Sequence, residues 1–139
     1  MLSFVKYILG YNSNFYYLSL INENNEWKIH GLWPQTDKNN YPQFCKSVEF
    51  NLDNLKPIIT ELNKYWCSDI EQNQKFWEHE WKKHGSCMFK PFSEFDYFKK
   101  TLELYESIKD NSEIINKYKI NKNKVMIPYD LDFNLLSSS

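Results

Sequence analysis

Three histidines are all that this chain of 139 residues contains, and they fall in two short segments. The first reads Ile29-His30-Gly31-Leu32-Trp33-Pro34-Gln35. The second runs from Phe76 through Trp77, Glu78, His79, Glu80, Trp81, Lys82, Lys83 and His84 to Gly85, Ser86 and Cys87. Imidazole is the side chain best suited to moving protons near neutral pH. On a helix, Glu80, Lys83 and His84 stand at i, i+3 and i+4 and share a face, and His79 borders it. That face presents a carboxylate, an ammonium and up to two imidazoles. Lys83 can stabilise an oxyanion or a phosphate. Glu80 can orient a neighbouring imidazole or raise its pKa. His30, from another element, can face them across a cleft. Two imidazoles on opposite sides of a phosphodiester make a general base and a general acid.

Zinc is the rival chemistry. A zinc-protease helix carries its two histidines four residues apart. His79 and His84 are five apart, about 500° around a helix, so they do not converge on one ion. Only a rearrangement of three histidines and Glu80 would make a metal site, and none is expected.

These side chains need elements to hold them. Phe15 to Leu20 is aromatic and β-prone, Asn22 to Asn25 is a polar turn, and Glu26 to His30 reads as a second strand, so the pair predicts a hairpin. Thr36 to Pro42 is a loop. A helix is expected after Asp53 as N-cap, with Leu55, Ile58, Ile59, Leu62 and Trp66 on one face and Pro57 in its first turn. A second helix runs from Gln74 to His84, ended by Gly85. A third follows Ser93, which pairs with Asp96 in a capping-box-like arrangement, and buries Phe95, Phe98, Leu102, Tyr105 and Ile108. Ser112 to Tyr118 forms a short helix. Val125 to Ile127 and Leu131 to Leu135 are read as strands. The mixture predicts an α+β fold, a small antiparallel β-sheet with helices packed against it, in a single domain over 1–139.

Composition narrows the function. Apolar residues make up 42% and charged residues 25%, so the chain is expected to fold. The net charge is −1, unlike the strongly basic balance of non-specific nucleic-acid binders, so any nucleic-acid contact must be local. No stretch approaches the ~20 apolar residues of a membrane span, and no membrane partner is expected. Leu2 to Leu9 is apolar but is interrupted by Lys6 and lacks a small-residue cleavage site, so it does not read as a secretory signal. Ser137 to Ser139 reads as a frayed end. Cys45, Cys67 and Cys87 allow at most one internal bridge.

The two histidine segments resemble the two active-site signatures of the ribonuclease T2 family, which includes fungal acid ribonucleases and plant S-ribonucleases. The first signature, H-G-L-W-P, is present as His30 to Pro34, and the second, H-E-W-x-K-H-G-[ST]-C, as His79 to Cys87. Phe76-Trp77 before the second signature resembles the family pattern, as do Asp96 to Phe98 and Thr101 to Tyr105 after it. The likeness covers Phe15 to about Ile120. The termini resemble a shortened form, with a brief Leu20 to Trp27 interval and little chain after Leu136.

The resemblance implies an endoribonuclease that needs no metal or other cofactor. Its partner would be single-stranded RNA, whose 2′-hydroxyl attacks its own phosphodiester to give a 2′,3′-cyclic phosphate and then a 3′-phosphate. DNA lacks that hydroxyl and would not be cut. His84 would be the general base, His30 the general acid and His79 a phosphate ligand, with Glu80 and Lys83 supporting the transition state. Trp33 and Tyr41 would contact a base, and Gln35, where relatives often have Asp, implies a changed or relaxed base preference. Cys45 and Cys87 correspond to the family's shared disulfide, leaving Cys67 free and partly buried. The family also implies a monomer that is secreted or resides in a vacuole or lysosome, where a disulfide survives. The alternative is a ribonuclease-like module that binds RNA or protein without turnover. Trp77 and Trp81 are expected in the core. Lys117, Lys119, Lys122 and Lys124 read as a solvated face.

Overall fold

The computed structural model describes residues 14–136. The expectations for Leu2 to Leu9 and Ser137 to Ser139 lie outside the described residues. A four-stranded antiparallel sheet has the order β2-β1-β4-β3, with β1 Phe15–Glu23, β2 Glu26–Gln35, β3 Lys119–Asn121 and β4 Lys124–Tyr129. Against it pack α1 Ile59–Tyr65, α2 Asn73–Lys83 and α3 Glu94–Ile108, and the short α4 Ser112–Lys117 leads into β3. This is the expected α+β class.

Strand β1 is central and buried on both faces. Tyr16, Leu18 and Leu20 enter the main core, while Phe15 and Tyr17 join Leu136 in a small cluster. Asn24 and Asn25 both have positive φ (53° and 66°), as a two-residue hairpin turn matched to strand twist requires, and asparagine tolerates that region better than most residues. Farther along the hairpin the register passes from Leu20 opposite Ile29 to Ser19 opposite Gly31. His30 is therefore the extra residue of a bulge. Ile29 and Leu32 can both be buried because the bulge shifts the alternation between them.

Strand β2 is an edge strand, and aromatic side chains cover its carbonyls. Tyr105 Oη donates to Trp27 O at 2.6 Å, Trp66 Nε1 to His30 O at 3.1 Å and Tyr97 Oη to Leu32 O at 2.9 Å. Buried rings with polar tips thus satisfy an edge and fix the strand that carries the first histidine segment. Trp77 and Trp81 are core residues, as expected. Their Nε1 groups donate to Trp66 O and Glu49 O.

Four local expectations need correction. Asn51, not Asp53, caps the helix after the loop. Its side chain accepts from Asp53 N, and Leu52–Ile58 is a 3-10 helix that precedes α1. Pro57 has no N–H and would crowd the carbonyl four residues back in an α-helix, which explains the tighter winding. Helix α2 ends just before Gly85 as expected, but Gly85 makes no left-handed turn. It starts the 3-10 turn Gly85–Cys87, and a Cβ there would collide with the Trp81 ring. Phe95 is half-exposed, and Tyr97 takes its place on the buried face of α3. Leu131 to Leu135 is not a strand. Asp130 accepts from Asp132 N and Asn134 N, competing with a ladder, and a single bridge joins Tyr129 to Leu135. Ser93 caps α3 through Asp96 N as expected, and β3 was not foreseen.

Candidate active site

The bulge in β2 and the buried face of α2 bring the two histidine segments together. A cleft of about 440 Å³ lies between them, lined by His30, Trp33, His79, Glu80, Lys83 and His84 together with Tyr41, Glu71, Phe76 and Lys124. Trp33 occupies the centre. Its ring stacks on His84 at 4.9 Å between centroids and meets His30 edge-on at 4.9 Å. Its Nε1 donates to Glu80 Oε1 at 2.8 Å. A Cβ on Gly31 would overlap both partners of that bond, so glycine is required by close approach.

Burial sets the charge states. Glu80 is 2% exposed and His84 4% exposed. Desolvation pushes the Glu80 carboxyl up to about 8, against the lowering effects of the Trp33 hydrogen bond and Lys83. Desolvation pulls His84 down to about 3, helped by Lys83, His30 and His79. His30 is lowered to about 4 by desolvation, then by Lys124, His79 and Lys83. The expectation that Glu80 raises the pKa of an adjacent imidazole fails for His84. Their closest atoms are 4.0 Å apart, too far for a hydrogen bond, and loss of water dominates both groups. His84 Nδ1 is buried with no hydrogen-bond partner among the described residues.

The rim comes from the loop after β2. Phe44 N donates to Lys83 O at 2.9 Å and Cys45 N to Ser86 Oγ at 3.1 Å. A disulfide joins Cys45 to Cys87, the pairing the resemblance implied. The docked loop sets Tyr41, 43% exposed, 5.8 Å from the His84 ring and within 5.7 Å of the Lys83 ammonium. Phe44 stands edge-on to the exposed His79 at 6.3 Å and carries a positive φ of 48°. Cys67 is free and half-buried.

Gln35 is not placed as expected. It is 3% exposed, and its amide donates to the carbonyls of Asp37 and Asn40 at 3.1 and 3.4 Å. The side chain satisfies the loop that leads to Tyr41 rather than lining the cleft. Sequence reasoning also missed Lys124. It was grouped with a solvated run, yet its ammonium lies 5.5 Å from the centre of the Trp33 ring. The pairing of β4 with β1 brings it there, and its sequence neighbours carry no sign of that pairing. Among the described residues, no group of three or more His, Cys, Asp or Glu side chains is arranged to hold a metal ion.

Known proteins share this architecture and sequence. The bitter gourd seed ribonuclease MC1 superposes with a TM-score of 0.70 at 18% identity, over 89% of this chain and 92% of that one. RNase NT in complex with 5′-AMP superposes with a TM-score of 0.65 at 20% identity, over 90% of this chain and 89% of that one. By sequence, ribonuclease Oy of Magallana gigas is 37% identical over 99 residues, 66% of this chain and 46% of that protein. Ribonuclease T2 of Homo sapiens is 36% identical over 96 residues, 64% of this chain and 36% of that protein. The chain therefore spans less than half the length of these relatives. The Ribonuclease T2 family model matches residues 11–129, nearly the whole described fold and every residue of the cleft, and the chain belongs to that family.

Proposed function

We propose that the chain is an endoribonuclease that cleaves single-stranded RNA by transesterification. His84 takes the proton of the 2′-hydroxyl, and the 2′-oxygen bonds to phosphorus. The bond from phosphorus to the 5′-oxygen breaks, and His30 gives its proton to that oxygen. The products are a 2′,3′-cyclic phosphate and a 5′-hydroxyl. Water can then open the ring by the reverse proton transfers to leave a 3′-phosphate. The arrangement of His30 and His84 on two sides of Trp33 carries this reading, because one cleft then holds a base and an acid in separate positions.

The remaining groups have supporting roles. Lys83 and His79 offset the charge of the phosphoryl oxygens. Glu80, neutral over acid pH, holds the Trp33 indole and can donate a hydrogen bond to the pentacoordinate phosphate. Trp33 and Tyr41 offer faces to a base, and such stacking contributes ~1–3 kcal/mol per base. The RNA would be bound by a monomer.

The test is cleavage of a DNA oligonucleotide carrying one ribonucleotide, with EDTA present and His84→Ala as control. The expected result is one cut, 3′ to the ribonucleotide, leaving a 2′,3′-cyclic phosphate by mass spectrometry, made only by the unmutated protein. Absence of cleavage from pH 3 to 8 by a folded sample, with RNA still bound, would replace this reading with a binding module.

A further inference from the structure

Lys124 enters the cleft from β4, across the central strand from His30. Its backbone is fixed by pairing with Ile21. Its ammonium reaches the Trp33 ring, and the ion pairs of the described residues leave it without a carboxylate. A half-buried, unneutralised ammonium beside the His30 imidazole is suited to an anion.

The surface beyond His30 indicates which anion. The cleft there meets a second hollow of about 370 Å³, also lined by His30 and Lys124. Leu20 and Ile21 form its apolar side, and the turn Asn121 to Lys122 closes it with a second ammonium. Two hollows that share His30 and Lys124 make a path past the acid. In the proposed reaction His30 faces the leaving 5′-oxygen. The RNA strand 3′ to the scissile bond then exits on this side, and this step of the inference rests on the ribonuclease reading.

We propose that Lys124 holds the backbone phosphate that flanks the scissile phosphate on its 3′ side. Ile21, directly opposite Lys124, then lies beneath the sugar between the two phosphates, and Lys122 adds charge at the outer rim. A strand is engaged on both sides of the cleavage point. A dinucleotide with no 3′-phosphate does not use the site.

The test compares UpU, UpUp and pUpU at low ionic strength, with the wild-type chain, Lys124→Gln and the charge control Lys99→Ala, which lies exposed on α3. Wild-type kcat/KM is expected to be roughly tenfold higher for UpUp than for UpU, as a charge-assisted contact implies, with no gain for pUpU. Lys124→Gln should abolish that gain, bringing the UpUp to UpU ratio of kcat/KM to about one at each pH, and Lys99→Ala should keep it. The proposal is overturned if the gain survives in Lys124→Gln, if wild type shows no gain, or if Lys124→Gln lowers UpU and UpUp equally. In the last case Lys124 acts at the scissile phosphate itself. Binding of the 2′-deoxy forms of UpU and UpUp, followed by NMR shifts of the Trp33 indole, separates this proposal from the catalytic one. Loss of cleavage alone sinks the ribonuclease reading, whereas equal binding of the two analogues by wild type sinks the Lys124 site.

Discussion

His30 and His84 are both neutral at pH 7, with pKa values lowered to about 3 for His84 and about 4 for His30. A base must be neutral and an acid must carry its proton. The profile of kcat/KM should therefore be a bell with its maximum between pH 3 and 4, falling about tenfold per pH unit well above it. A bound phosphate favours the imidazolium, so the descending limb of kcat should lie at higher pH than that of kcat/KM. A kcat/KM maximum at pH 7 or above would contradict the assignment of these two groups. Removing a cation near His30 raises its pKa, so Lys124→Gln should move the descending limb of kcat/KM to higher pH. Glu80 gives a different test. Glu80→Ala leaves the Trp33 N–H without its acceptor and should cost ~1–3 kcal/mol of stability, measured by urea unfolding. Glu80→Gln keeps an acceptor and should lose much less. At this scale the sequence was most legible where a signature fixed residue type and spacing together. It could not place Gln35 and Lys124, because the direction of a side chain depends on a loop and on a distant strand.

Two local devices set the elements that carry the site. The first is the bulge at His30, with Gly31 beside it. Gly31→Ala would push a methyl group against Glu80 and Trp33, so it should lower stability by ~1–3 kcal/mol and lower kcat as the Trp33 hydrogen bond breaks. The second is the disulfide, which closes a span of 42 residues between the rim loop and the end of α2. Chain-entropy reasoning gives it about 4 kcal/mol. Cys45→Ser with Cys87→Ser should lower Tm by roughly 10–15 °C, and calorimetry of the oxidised and substituted chains would read this directly. The strands of the hairpin and the two long helices were legible from periodicity and from the Ser93 cap. The bulge was not, because register depends on a partner strand and leaves no periodic trace. The 3-10 winding at Leu52–Ile58 was hidden because Asp53 and Asn51 are both competent caps, and the strain imposed by Pro57 decided between windings.

For the molecule as a whole, the cleft acts on stability in two opposed ways. In the unfolded chain histidine titrates near 6.5 and glutamate near 4.5. Between those values the unfolded state takes up protons that folded His30 and His84 refuse, while folded Glu80 keeps one that the unfolded chain loses. Two outweigh one, so stability rises with pH. Between pH 6.5 and 8 only Glu80 still differs, and stability falls. The cleft's contribution therefore peaks near pH 6.5, above the expected activity maximum. Urea midpoints across pH should show that dome, and Glu80→Gln should flatten its alkaline side. The pairing of β1 has one more consequence. Its hairpin partner follows at once, but its other neighbour is β4, so Tyr16 must wait for Tyr129. Such non-local pairing is slow to form. During synthesis from the N-terminus, His30, His84 and the disulfide loop emerge before the strand that completes the sheet. A nascent chain that has released the hairpin and the helices but not yet β4 thus lacks the Lys124 side of its cleft.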